Sequence, residues 1–498
     1  MKKSFSLLSG LLISCALWAQ IKTQPVTPDE FGSYVDRVAA EWKLPGMVVV
    51  VVKDGKTVFL KGYGKTSLDE TGTPVGPNTQ FVIASTSKAF TAALLATVID
   101  EEKLRWTDTV VNHLPEFKLY DPWVTQNFLV RDIMVHKTGF NAYAADDLPG
   151  FGYNRDELLT LYRHIKPTHS FRTTYAYNNS LFTISAQLIE KYTGKSWDDA
   201  LIERIFTPLE MKNSTTGNKA FFTSPTLARG YRLGKEADTI RIMSRTDMQG
   251  AFNWLSAIAP AGFVISTGAD MANWLRMLLA KGKFNDKQVI SERNFRYLTT
   301  PQTITGADSV TLTNYAQGWT IELGPQGKLI RHTGLAYGYT SLVCLAPELN
   351  AGFAVLTTNG STNNPHYAIV RQLIDIYLGV QGKDWQKYYM DDYMKPSPPR
   401  PSPTKMDSLP PLNIRSYVGT FDGGAFGDAR VYLQNDTLRF ALKRVDSPLR
   451  HKSGNTFVFN VDGSGRFDLT FFTDKSQKTI VSLTFDIGDP LEPFMKKE

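Results

Sequence analysis

The sequence predicts an α/β (α+β) protein: an antiparallel sheet flanked by helices with a helical subdomain, followed by a small all-β barrel-like domain. Three observations carry this expectation. A Val-rich run at 47–53 turns at Asp54-Gly55 and returns over 57–62, which reads as a hairpin. Apolar residues at helical spacing begin at Ser85 and dominate as far as about residue 215. Beyond a proline-dense stretch, short runs of β-branched and aromatic residues recur with turn residues between them.

Taken in order, the first residues are an export signal by pattern. Lys2 and Lys3 precede an apolar stretch over 5–18, and Ala19-Gln20 offers a cleavage point after small residues. The stretch is too short to span a bilayer. Residues 1–19 are therefore expected to leave as a signal peptide, with lipoprotein anchoring at Cys15 as the other reading and a periplasmic or extracellular destination in both. The remaining Cys344 lies in an apolar run and reads as a buried small hydrophobe.

With 498 residues, two folded units and a connector are expected. After the hairpin, Phe90, Ala93, Leu94, Val98 and Leu104 give the helix starting near Ser85 an apolar face. Residues 105–215 read as mostly helical, broken at Gly139, Pro149-Gly150, Pro167 and Gly194. An amphipathic helix over 270–283 is followed by strands at 328–331, 339–345 and 351–357. Seven prolines between Pro396 and Pro411 mark an extended linker. Further strands are expected at 417–421, 429–434, 437–442, 456–460, 467–472 and 479–487. The division is thus 20–385 for the first domain, 386–411 for the linker and 412–498 for the all-β domain.

The net charge of +7 is small for this length and forms no basic run, so nothing reads as a nucleic-acid binder. No cofactor is expected. Seven scattered histidines, without His-x-His or His-Glu-x-x-His, argue against a metal site.

Chemistry concentrates in three places. Ser85-Thr86-Ser87-Lys88 puts a serine and a lysine on one face at a helix start, where a desolvated amine can take the hydroxyl proton. The same spacing is met by an N-capping serine, and Ser402-Pro403-Thr404-Lys405 repeats it inside the proline stretch. Tyr177-Asn178-Asn179 offers a phenol whose pKa a nearby Lys would lower, beside an amide able to hold a substrate or the Lys. His332-Thr333-Gly334 ends a strand, where Gly allows close approach of a substrate to the backbone. Lys137-Thr138-Gly139 looks similar, but follows a short helical pattern at 131–136 and reads as a helix C-terminus.

In this order, Ser-x-x-Lys, Tyr-x-Asn and His-Thr-Gly resemble the serine β-lactamase and penicillin-binding superfamily, of the class C β-lactamase, D,D-peptidase and esterase type. Similar stretches lie at 128–139, 259–271 and 315–319, and coverage runs from about residue 28 to 385. The tail resembles the small β-domains appended to some of these hydrolases. The resemblance implies Ser85 as nucleophile, Lys88 and Tyr177 sharing proton transfer, and Asn179 orienting Lys88 and holding the substrate amide. It makes His332, Thr333 and Gly334 the substrate strand, with the N–H groups of Ser85 and Leu335 as the oxyanion hole.

Many β-lactamases carry Lys where this chain has His332, and a mostly neutral imidazole pairs poorly with a β-lactam carboxylate. Peptide or ester turnover is accordingly favoured over β-lactam hydrolysis, with small peptides, cell-wall peptides, β-lactams or esters as partners. The alternative from another class is a penicillin-recognising sensor or binding protein with little turnover. An α/β-hydrolase is disfavoured because no Gly-x-Ser-x-Gly occurs.

Overall fold

The computed structural model describes residues 28–233, 240–242, 249–380, 382–395, 410, 412–487 and 491–497. The expected signal peptide, Cys15 and the Ser402–Lys405 repeat lie outside the described residues. So does most of the proline stretch.

Gly46–Lys53 is a strand because six consecutive β-branched or long apolar residues, Met47 to Val52, can all be buried in it. Met47, Val49 and Val51 face the helices Pro28–Glu41 and Asn364–Leu378, against Val35, Val38, Ile369 and Leu373. Val48, Val50 and Val52 belong to the core on the other face. The strand is next to last in an eight-stranded antiparallel sheet. Its order is Thr303–Ala307, Leu312–Tyr315, Thr320–Gly324, Gly327–Ala336, Tyr339–Ala346, Ala351–Thr357, Gly46–Lys53 and Lys56–Gly64. Asp54 and Gly55 close the hairpin with positive φ at both positions, as a primed turn requires.

The helix Ser87–Asp100 differs from the expected amphipathic element. Every residue from Ser87 to Val98 is buried, so it is a central helix covered on all sides rather than one with a single apolar face. Residues 105–215 also depart from a mostly helical reading. Short helices such as Arg155–Leu161 and Phe182–Thr193 alternate with long irregular segments. Those segments satisfy their backbone through tertiary bonds, such as His169 N–H to Gly139 O at 2.9 Å and Ala176 N–H to His136 O at 2.9 Å. Pro149-Gly150 is no break, because both residues sit inside the short helix Leu148–Phe151. Residues 131–136 form only a 3-10 turn, Val130–Asp132, and further turns, so Gly139 does not cap an α-helix.

Within the stretch assigned to the linker, Trp385–Met394 is a helix whose Gln386 is held by Trp42 and Glu41. The C-terminal strands form one nine-stranded antiparallel sheet. Three short strands were not anticipated: Val445–Pro448, Arg450–Ser453 and Phe494–Lys496. The first two are the sheet's edges and are separated in the chain only by Leu449, so the sheet nearly closes on itself. Its interior holds Phe421, Phe440, Phe459 and Phe485.

This barrel packs against the first domain through several contacts, among them Tyr153 OH to Phe426 O at 2.6 Å and the Tyr337 hydroxyl on Gly463 O. Phe151 stacks on Phe485 at 5.2 Å between ring centres and meets Phe467 at 5.5 Å. Arg444 donates to Gly150 O at 2.7 Å and Ala145 N–H to Ile487 O at 3.3 Å. No described helix is long and apolar enough to cross a membrane.

Candidate active site

Ser85 lies in the 3-10 turn Ala84–Thr86 that leads into the central helix, and it is the one residue between Phe81 and Phe90 that is not buried. The turn is locally strained. Ala84 has φ +48°, a conformation costing about 1–2 kcal/mol for a residue with a Cβ. Surrounding bonds hold it there: Ile83 O accepts from Ser341 Oγ at 2.6 Å and from Thr86 Oγ1 at 2.7 Å. Ser85 caps no helix, since the helix starts after Thr86 and has no side-chain cap.

One turn on, Lys88 is fully buried. Its Nζ donates to Asn179 Oδ1 at 2.6 Å and Ala261 O at 2.8 Å, and lies 3.3 Å from Ser85 Oγ. Burial drives its pKa down to about 7, with Asp146 acting in the opposite direction. A lysine in this state can accept a proton near neutrality.

Tyr177 shares a hydrogen bond with Ser85, and its ring centre is 4.7 Å from Lys88 Nζ. The expectation of a lowered phenol pKa is overturned: burial raises it well above the usual value. Desolvation of a phenolate outweighs the lowering that the Ser85 hydrogen bond supplies. Tyr177 is therefore a neutral hydroxyl beside an amine that can lose its proton near neutrality.

Asn179 is held from behind by Asp146, a residue that sequence reasoning missed. Its carboxylate accepts from Asn179 Nδ2 at 2.6 Å, Asn179 N–H at 3.0 Å and Ser180 N–H at 2.7 Å. Only tertiary structure brings it there, across a separation of 33 residues that includes the helices Leu148–Phe151 and Arg155–Leu161. No motif marked it.

Gly327–Ala336 runs past the expected end at 331, so His332, Thr333 and Gly334 lie within the strand. Its pairing with Thr320–Gly324 stops at Arg331, whereas pairing with Tyr339–Ala346 continues through Ala336. One edge of residues 332–336 is thus left open toward Ser85. At Gly334 a Cβ would stand 2.3 Å from Ile83 O and 3.0 Å from Ala84 Cβ, so glycine is required for the strand to reach the serine turn. Leu335, the second residue of the expected oxyanion pair, is about half exposed on this strand.

His332 is buried and committed to neighbours. Nδ1 donates to Thr333 O at 2.6 Å, leaving Nε2 to accept from Tyr315 OH at 2.8 Å. Burial and the neighbouring Lys88 lower its pKa to about 3, so it is neutral. His136, unassigned by sequence reasoning, packs against Tyr177 at 4.4 Å and Tyr315 at 4.5 Å and accepts from Asn178 N–H.

These residues line a cleft of about 830 Å3 that includes Ser85, Tyr177, Asn179, His332, Thr333 and Leu335. Cys344 lies elsewhere, buried, with its thiol pushed up to about 12. Among the described residues no group of His, Cys, Asp and Glu could hold a metal ion.

An antiparallel sheet with a buried Ser-x-x-Lys helix, a Tyr-x-Asn loop and an open His-Thr-Gly strand defines a serine hydrolase of the β-lactamase and transpeptidase type. Residues 33–377 match the Beta-lactamase family model, and the chain belongs to that family. It is 30% identical over 450 residues to the unguisins hydrolase ungD' of Aspergillus campestris, covering 84% of this chain and 80% of that one. It is 28% identical over 451 residues to the D-aminopeptidase of Brucella anthropi, with the same coverage of 84% and 80%. In fold it is similar to the octameric penicillin-binding protein homologue from Pyrococcus abyssi, with TM-score 0.61 and 20% identity over 92% of this chain and 98% of that one. It also resembles the D-amino acid amidase from Ochrobactrum anthropi SV3 complexed with D-phenylalanine, with TM-score 0.56 and 18% identity over 73% and 99%.

Proposed function

We propose that this chain is an exported acyl-enzyme hydrolase that cleaves amide or ester bonds of short D-amino-acid peptides and small esters. The observation that carries the reading is the position of Lys88 Nζ, desolvated and 3.3 Å from Ser85 Oγ while Asn179 and Ala261 fix it. In the first step Ser85 Oγ attacks the substrate carbonyl carbon as Lys88 takes its proton. The resulting oxyanion is met by backbone N–H groups of Ser85 and Leu335. The leaving amine or alkoxide takes a proton from Lys88 through the Tyr177 hydroxyl, and the acyl group stays on Ser85. Water then attacks the ester and gives its proton to Lys88, which passes it to the departing Ser85 Oγ as the acid is released, restoring both groups.

The preference for peptides and esters over β-lactams follows from His332. Neutral and bonded to Tyr315, it supplies no cation for a substrate carboxylate. Named relatives that are hydrolases and D-aminopeptidases support the same substrate class. Export rests on the pattern of residues 1–19, and periplasmic fractionation of the full-length chain tests it.

The catalytic reading is tested by incubating the purified protein and Ser85→Ala with a fluorescent penicillin and p-nitrophenyl acetate. Turnover lost in the variant supports it. A persistent penicillin adduct without ester release would favour a sensor, and equal behaviour of the two proteins would remove Ser85 as nucleophile.

A further inference from the structure

The cleft has an electrostatic character that the catalytic residues do not use. Among the described residues lining it there is no Arg or Lys, and the buried Lys88 stands behind Ser85. It does contain Asp147. This carboxylate directly follows Asp146, whose own oxygens are bonded to Asn179 and Ser180, so Asp147 enters the lining beside the Asn179 side of the cleft. It precedes the short helix Leu148–Phe151 but caps none of its N–H groups. Burial and the nearby charges of Asp146 and Asp486 push its carboxyl up to about 7, the behaviour of an anion lacking a counter-charge.

The same cleft is lined by Tyr143, Tyr175 and Trp254, aromatic side chains of the kind that attract cations. Trp254 also donates through Nε1 to Asp146 O, which ties this wall to the Asp146-Asp147 segment. An uncompensated carboxylate and these aromatic rings, with no Arg or Lys among the described lining residues, are the chemistry of an ammonium site.

We propose that Asp147 binds the free ammonium group of the substrate's acyl part, so that the enzyme acts on amides and peptides with an unblocked amino terminus. This rests on the acyl-enzyme reading above and names its substrate class. A blocked amine would leave Asp147 desolvated and unpaired against an amide, and a free carboxylate would be repelled.

The test compares kcat/KM for D-alanine p-nitroanilide with that for its N-acetyl form, in wild type, Asp147→Asn and Asp147→Glu. Wild type should favour the free amine by at least about tenfold, the discrimination of one charge-assisted contact. Asp147→Asn should collapse that ratio, chiefly through KM of the free amine, and Asp147→Glu should restore part of it. Equal use of the two substrates by wild type would overturn the proposal without any variant. So would a ratio unchanged in Asp147→Asn, or equal losses on both substrates, which would mark a structural role. Hydrolysis of p-nitrophenyl acetate, which carries no amine, runs alongside. Its absence in wild type, or its survival in Ser85→Ala, would instead bring down the acyl-enzyme reading and this proposal with it.

Discussion

Lys88 Nζ is 2.6 Å from Asn179 Oδ1, and Asp146 grips the same Asn179 from the far side, Nδ2 to Oδ2, also at 2.6 Å. The amide is thereby oriented, its oxygen toward the amine and its nitrogen toward the carboxylate. A buried carboxyl in the cleft lining thus sets the direction of the dipole that meets the Lys88 amine.

The acid limb of activity follows from Lys88. In the proposed mechanism its neutral form accepts the Ser85 proton, so activity should rise with pH through about 7 and fall below it as the amine is protonated. Burial raises the pKa of Asp146, the carboxyl coupled to Lys88. His332 lies near 3, His136 well below its usual range and Tyr177 well above. Asp147 does titrate near 7, so the profile should be measured with p-nitrophenyl acetate, which carries no ammonium.

Replacing Asp146 by Asn should move that limb to lower pH, because the carboxylate is the charge that raises the Lys88 pKa. The variant should also melt at lower temperature. An amide in this position can keep its oxygen on the Asn179 and Ser180 N–H groups but turns an NH2 toward Asn179 Nδ2, a loss of about 1–3 kcal/mol. A pH–rate profile and a thermal melt check the two parts separately.

Gly334→Ala should lower kcat for every substrate while far-ultraviolet circular dichroism stays native. The new Cβ would meet Ile83 O and Ser341 Oγ at 2.3 and 2.4 Å, pushing the strand from the turn that carries Ser85. Overpacking of this kind costs about 1–3 kcal/mol, and kcat should fall by at least about tenfold.

Phe151→Ala should destabilise the protein by about 3–5 kcal/mol, since the ring is buried among Phe459, Phe467 and Phe485 of the barrel. Truncation after residue 395 should be worse, exposing that ring and freeing the segment that ends in Asp146 and Asp147. Denaturant melts, with penicillin labelling of the surviving fraction, measure both effects.

The grouping of Ser85, Lys88, Tyr177, Asn179 and the His332–Leu335 strand as one candidate site was legible because each motif is local. A Ser and Lys three apart share a helix face wherever that helix lies, and alternation or turn residues mark strands such as 47–53 and 437–442. Short polar strands at 445–448 and 450–453 were not legible, since their pairing across the barrel, not their composition, makes them strands. Nor was the burial of the central helix on every side. Most consequential, sequence could not say which way the Tyr177 and Lys88 pKa values move. That depends on how much water each group loses and which charges stand nearby, and Asp146 meets Asn179 only in the folded chain, where Phe151 just beyond it packs on the barrel. The sequence by itself determined which functional groups the site contains. Tertiary structure decided their protonation, because desolvation is a property of the packed surroundings and not of the residue.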